Sequence, residues 1–231
     1  MAFEDLLLVF DIDGTLTDST EVDDLCFIQT FSDLYNIDLR NTDWSKFVHV
    51  TDWGMCYSIL KLHTQRRPTK EEVDRIREYY CEMLKTQLIE KPTSITEVQG
   101  AIQFINFLQE KNCALAMATG AWGNSAKIKL GAGKIPVSEI PLSHSDLAWS
   151  RSSILEKAVQ NACSKHNRLF SKVIYFGDGL WDQQTCTALS IPMVGIDVHQ
   201  TKQLDPKKLL GIFSDFSKPE EILDVIFRAY E

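Results

Sequence analysis

The rhythm of apolar and polar positions changes twice along the chain, and the changes divide it. Leu6-Leu7-Leu8-Val9-Phe10 is a continuous apolar run of strand length that ends at Asp11-Ile12-Asp13-Gly14-Thr15. A short apolar run closed by a glycine-containing turn reads as a buried strand. No comparable run follows until residue 113. Asp18 and Glu21 have capping-box spacing ahead of Val22, Leu25, Cys26 and Ile28, which recur near a 3.6-residue period. Further helices are predicted from about Trp44 to Leu62 and from Thr69, paired with Glu72 in a second capping box, to about Leu88. Residues 17–95 therefore read as an all-helical insert, and Lys91-Pro92-Thr93-Ser94 brings the chain back.

Beyond that point helix and strand alternate. Val98, Ala101, Ile102, Ile105 and Leu108 mark a core-facing helix near 98–111, and further helices are predicted near 122–131, 152–164, 180–189 and 217–229. The intervening strands fall near 113–118, 138–142, 173–177, 192–196 and 211–213, with the first at 5–11. Such alternation demands a parallel sheet joined by crossover helices. The expected fold is α/β: a Rossmann-like, three-layer core formed by residues 1–16 and 96–231, interrupted by the helical insert.

Composition narrows the class. With 231 residues, 44% hydrophobic and 24% charged, the chain can bury a sizeable core. No apolar stretch approaches the ~18 residues of a membrane span, and the start Met1-Ala2-Phe3-Glu4-Asp5 is acidic where a secretory signal is basic. A cytoplasmic protein is expected, as a monomer or weak dimer. A net charge of -8 argues against nucleic acid as a partner, and the basic residues Lys61, Arg66, Arg67 and Lys70 read as a solvated face. Cys26, Cys56, Cys81, Cys113, Cys163 and Cys186 are scattered and read as reduced packing thiols.

The chemistry gathers where the predicted strands end. Asp11 and Asp13 emerge at the carboxyl end of the first strand, where open α/β sheets bind ligands. One carboxylate can attack an electrophile while the other moves protons, and a cation such as Mg²⁺ would hold the pair together. A calcium loop placed on the same residues fails, because Val9 and Thr20 stand where acids are required. An ordinary acidic turn is the plain alternative. Thr119-Gly120 ends the second core strand with a hydroxyl and a bare amide, suited to a phosphate oxygen or to a simple turn. Gly177-Asp178-Gly179-Leu180-Trp181-Asp182 follows a later strand, with a helix rather than a hairpin after it. Arg151 stands just before Ser153 and Glu156, which again have capping-box spacing.

In this order the four segments resemble the haloacid dehalogenase superfamily of aspartate-nucleophile hydrolases, phosphatases and phosphoglucomutases among them. The resemblance implies Asp11 as nucleophile and Asp13 as general acid and base. Thr119, Gly120 and Arg151 would hold phosphate, and Mg²⁺ would be bound by the Asp11 carboxylate, the Asp13 carbonyl and Asp178, with Asp182 orienting them. Arginine replaces the usual lysine at the third position, and Lys157, one turn on, is the fallback. The insert takes the place of that superfamily's helical cap of the first type. Within it Asp52, Trp53 and Gly54 are the candidate specificity segment, expected as a loop facing the core, with packing of Trp53 between cap helices as the alternative. His49, His63, His144, His166 and His199 read as surface or packing residues.

The expected activity is Mg²⁺-dependent hydrolysis of a small phosphorylated metabolite through an aspartyl-phosphate. A sugar-phosphate mutase uses the same core and is the runner-up. Dehalogenation is disfavoured by Asp13, and a catalytically idle binding protein by the complete set of motifs.

Overall fold

The computed structural model describes residues 3–230; residues 1, 2 and 231, which the expected core includes, lie outside the described residues. The elements are β1 (Leu6–Phe10), β2 (Thr17–Asp18), α1 (Thr20–Tyr35), α2 (Asp52–Thr64), α3 (Lys70–Glu90), β3 (Thr96–Glu97), α4 (Ala101–Glu110), β4 (Ala114–Ala118), α5 (Gly123–Ala132), β5 (Leu142–Ser143), α6 (Arg151–His166), β6 (Lys172–Gly177), α7 (Leu180–Leu189), β7 (Met193–Ile196), β8 (Gly211–Phe213) and α8 (Pro219–Arg228). The main sheet is parallel throughout, in the order β5-β4-β1-β6-β7-β8. Renumbered along the core alone this is 3-2-1-4-5-6, the doubly wound order, and its switch point lies between β1 and β6.

Strand geometry explains why β1 is apolar without alternation. Successive side chains point to opposite faces, and here both faces are covered. Leu6, Leu8 and Phe10 pack with Phe104 and Leu108 of α4, Leu130 of α5 and Ile222 and Ile226 of α8. Leu7 and Val9 pack on the other side with Ile154, Leu155 and Ala158 of α6 and Cys186 of α7. The result is three layers, α/β/α. Beneath the carboxyl ends of β1 and β6, Phe10 stacks on Phe176 with ring centroids 4.5 Å apart, and Phe104 and Phe216 close around them. This rigid aromatic floor fixes the strand ends from which the acids project.

Residues 17–95 leave the sheet and return to it through the short antiparallel pair β2 and β3. Their helices bury a separate apolar cluster, including Phe27, Phe31, Ile59, Ile76, Tyr80 and Leu84, which Trp122 joins from the loop before α5.

Several local expectations need correction. The strand near 138–142 shrinks to Leu142–Ser143, because Pro141 has no amide to donate and its carbonyl alone joins the ladder, accepting from Met117 N at 2.8 Å. The helix expected over 44–62 is split: a 3₁₀ turn at Trp44–Lys46 is capped by Asp43, and α2 begins only at Asp52, with Thr51 as its cap. Asp18 does not cap α1; Ser19 stands at that position without a side-chain cap bond, and Asp18 meets His199 at 3.0 Å. The cap of α6 is Ser150, not Ser153, so Arg151 is its first residue. The Thr69–Glu72 capping box forms as expected.

Thr51 joins the helical insert to the sheet. Its buried hydroxyl accepts from Gly54 N and donates to the Trp149 carbonyl at 2.9 Å, 98 residues away. Thr51→Ala is expected to cost about 1–2 kcal/mol in denaturant unfolding, from the lost cap and the orphaned carbonyl together. Thr51→Ser, which keeps the hydroxyl, should recover most of it; equal losses for both would remove the hydroxyl from the account.

Candidate active site

The first turn after β1 exists because Gly14 is a glycine. Its φ of +73° lies in the left-handed region, and an added Cβ would fall against the Asp178 carboxylate. Gly120 makes similar room after β4, where a Cβ would lie 2.8 Å from Arg151 Nη2 and 2.9 Å from the Val50 carbonyl. Two strand-end glycines thus let Asp178 and Arg151 close on the centre.

Asp11, at the end of β1, is 2% exposed, and its Oδ1 is buried without a hydrogen-bond partner. Oδ2 lies 3.6 Å from Arg151 Nη1. Burial, then the charge of Asp182, pushes the Asp11 carboxyl up to about 8, against the pull of Arg151. Asp178 is also raised well above the ordinary carboxylate range by burial, then by Asp182 and Asp11. Carboxylate oxygens of Asp11, Asp178 and Asp182 lie within 4.8 Å of one another.

Both oxygens of Asp182 are engaged. Oδ1 accepts from Arg151 Nη1 at 2.6 Å and from the Tyr175 hydroxyl at 3.1 Å, and Oδ2 accepts from Gly179 N at 3.0 Å. Asp182 therefore positions Arg151. The guanidinium also donates from Nε to the Val50 carbonyl at 2.8 Å and lies 5.5 Å from the centre of the Trp181 ring. Lys157 is exposed and is not among the residues lining the cavity around Arg151. An orphaned buried Asp11 oxygen beside the converging Asp178 carboxylate suits a hard, oxygen-seeking cation such as Mg²⁺.

Asp13 is held differently. Its Oδ1 accepts from Ser19 at 2.5 Å and its Oδ2 from Lys129 Nζ at 2.6 Å. The same ammonium reaches Asp23 Oδ1 at 2.5 Å, and Asp23 is in turn bonded by the Tyr80 hydroxyl. Lys129 is completely buried, and Asp13, Asp23 and Asp52 hold its pKa above the usual range although burial opposes them. Sequence reasoning missed Lys129, Asp23 and Tyr80. A lysine one residue before the buried Leu130, on the covered face of α5, was the available signal.

These groups open onto one cavity of about 610 Å³, lined by Asp11, Asp13, Asp178, Gly120 and Arg151 on the sheet side. Thr119 sits just below, 2% exposed, with its hydroxyl accepting from Ala121 N at 3.1 Å. In the segment expected as a specificity loop, Thr51 and Asp52 line the cavity. Asp52 N donates to the Gly120 carbonyl at 2.8 Å, and its Oδ2 accepts from Trp122 N at 2.9 Å. Trp53 and Gly54 are carried into α2 instead: Trp53 packs on Trp149 at 4.7 Å, and Gly54 supplies the amide that Thr51 caps. His199 also lines the cavity, beside Asp18.

Two outcomes are expected from this electrostatic arrangement. Lys129→Met leaves Asp13 and Asp23 without their shared cation and should cost about 3–5 kcal/mol in denaturant unfolding; a loss under about 1 kcal/mol would show that the acids are solvated. The second concerns pH. The folded protein keeps protons on Asp11, up to about 8, and on Asp24, up to about 6, at pH values where the unfolded chain has released them near 3.8. The metal-free protein should therefore lose stability as pH rises from 4 towards 8. In EDTA its melting temperature should be lower at pH 8 than at pH 5.5, each kcal/mol moving it by about 2–4 °C. Added Mg²⁺ should reduce the difference, and a melting temperature that rises with pH in EDTA would contradict it.

The family described as haloacid dehalogenase-like hydrolase matches residues 8–196. No curated protein matches the chain in sequence. Among solved structures, a hydrolase from Pseudomonas syringae is similar over 95% of this chain and 98% of its own, with a TM-score of 0.73 at 21% identity. CbbY from Rhodobacter sphaeroides, solved with phosphate, is similar over 92% of this chain and 95% of its own, with a TM-score of 0.71 at 15% identity. A family IA, variant 3 hydrolase from Entamoeba histolytica is similar over 96% and 99%, with a TM-score of 0.70 at 17% identity. At these identities the likeness to the solved structures is one of fold. The family match spans both acidic strand ends, from the middle of β1 to the end of β7, and with it the chain belongs to the haloacid dehalogenase-like hydrolases.

Proposed function

We propose that the protein is a Mg²⁺-dependent phosphatase of a small phosphomonoester, with residues 17–95 acting as a cap over a core of residues 1–16 and 96–231. The observation that carries this reading is Asp11: a buried carboxylate with one unpartnered oxygen, lining a cavity beside Arg151 and Asp178. The phosphate complex of CbbY, on the same fold, supports it.

Mg²⁺ held by the Asp11 carboxylate, the Asp13 carbonyl and Asp178 would neutralise charge on the phosphoryl oxygens. Asp11 forms the new bond to phosphorus as the ester P–O bond breaks, and Asp13 gives the departing alkoxide its proton. Water then attacks the phosphorus of the aspartyl-phosphate and yields a proton to Asp13, and the P–O bond to Asp11 breaks to release inorganic phosphate. Arg151, fixed by Asp182 and the Val50 carbonyl, and the amide of Gly120 balance charge on the equatorial oxygens. The Thr119 hydroxyl accepts from Ala121 N, leaving its own proton free to donate to the same group. Asp13 must turn from Ser19 or Lys129 to reach a leaving oxygen, since both its oxygens are otherwise engaged. Arg151 is the sole arginine or lysine among the described residues lining the cavity. A sugar bisphosphate, the intermediate of a mutase, would find no cation for its second phosphate.

Asp11→Asn should reduce Mg²⁺-dependent phosphate release by about 10³-fold or more, because the amide cannot attack phosphorus. Circular dichroism should report an unchanged fold. Turnover within tenfold of the parent would remove Asp11 as nucleophile.

A further inference from the structure

The charge on the cavity wall restricts the half of the substrate that does not react. Arg151, the only arginine or lysine on it among the described residues, is bonded to Asp182 and the Val50 carbonyl. His199 is paired with Asp18. Asp13 and Asp23 share Lys129, and Asp52 is bonded to Trp122 N. Asp24 differs from all of these. It projects from α1 into the cavity, is partly buried, and has no ion-pair partner among the described residues. Phe27 and Trp44 line the cavity with it, their rings packed edge to face at 5.7 Å, and Trp181 lines it from the sheet side. Burial, then the neighbouring charge of Asp23, pushes the Asp24 carboxyl up to about 6, against the pull of a hydrogen bond from the Trp44 side chain.

A carboxylate or second phosphate on the substrate would therefore face acids without a compensating base. An uncharged alcohol would leave the Asp24 carboxylate with a hydrogen bond from Trp44 and no ion pair. A carboxylate flanked by aromatic faces is the arrangement that recognises an ammonium group.

We propose, resting on the phosphatase reading, that the substrate is the phosphate ester of an amino alcohol, its ammonium group held by Asp24 against the Trp44 and Phe27 rings. Asp24 and Trp44 are then the specificity-determining residues. The phosphate enters towards Asp11 and the cation lies towards the cap.

The test measures kcat/KM for Mg²⁺-dependent phosphate release from phosphocholine, phosphoethanolamine, the uncharged isostere 3,3-dimethylbutyl phosphate, 2-phosphoglycolate and p-nitrophenyl phosphate. At least one ammonium ester should exceed the uncharged isostere by roughly tenfold or more, with phosphoglycolate the poorest. Asp24→Asn should bring the ratio of ammonium ester to isostere towards one. Trp44→Leu should lower the same ratio, and it serves as the second variant should Asp24→Asn fail to fold. Equal use of isostere and ammonium esters, a preference for phosphoglycolate, or a ratio unchanged in both variants would overturn the proposal while leaving the phosphatase reading intact. If none of the five esters is hydrolysed, p-nitrophenyl phosphate included, the phosphatase reading fails and takes this inference with it.

Discussion

Two buried cations hold an acidic centre together, and the arrangement of the site follows from them. Arg151 joins Asp11 to Asp182 and reaches the Val50 carbonyl, and Lys129 joins Asp13 to Asp23. Asp11 and Asp13, two residues apart in sequence, are thus claimed by different cations. Buried ion pairs are poor sources of net stability, because desolvation offsets much of the attraction. Their effect here is positional. Each cation connects segments more than 30 residues apart, and each runs from the sheet core into the helical insert: Arg151 to the segment before α2, Lys129 to α1.

The sheet order decides which segments can meet. With β1 central and β4 and β6 beside it, the turns after these three strands necessarily adjoin, and they carry Asp11, Gly120 and Asp178. The Phe10–Phe176 stack lies directly below, so the acids stand on packed side chains rather than on mobile loops. Gly14 and Gly120 then permit approaches that any Cβ would prevent.

The features legible in the sequence were those carried by local pattern. Continuous apolar runs identified the parallel strands, and acids after two of them marked strand ends that open onto one cavity. The features that escaped depend on distant partners. Lys129 lies on a helix between Ile128 and Leu130 and becomes significant only beside Asp13, 116 positions away, and Asp23, 106 positions away. Spacing also misled at helix starts: Ser153 and Glu156 fit a capping box, yet Ser150, three residues earlier, is the cap and its hydroxyl takes the Ser153 amide. At 138–142 the apolar pattern was strand-like, but the missing amide of Pro141 left the pairing to two residues. Trp53 looked like a recognition residue because it neighbours Asp52 and Gly54. Helix geometry separates it from them, since adjacent helical residues do not share a face.

On the phosphatase reading, one cavity would have to accept a phosphate dianion although its wall is rich in aspartate, and the polarity of the fold bears on this. In this parallel sheet β4, β5 and β6 each lead into a helix, α5, α6 and α7, whose amino end sits at the same edge. Here the first residues of α6 and α7, Arg151 and Leu180, line the cavity. Helix amino termini carry a partial positive charge that favours anions, and Arg151 adds a full one. The opposite wall, contributed by α1 and the turn at Trp44–Lys46, presents Asp24 and aromatic rings. On the proposed reading, an ester with a phosphate at one end and an ammonium group at the other would set its phosphate towards Arg151 and these helix ends and its cation towards Asp24.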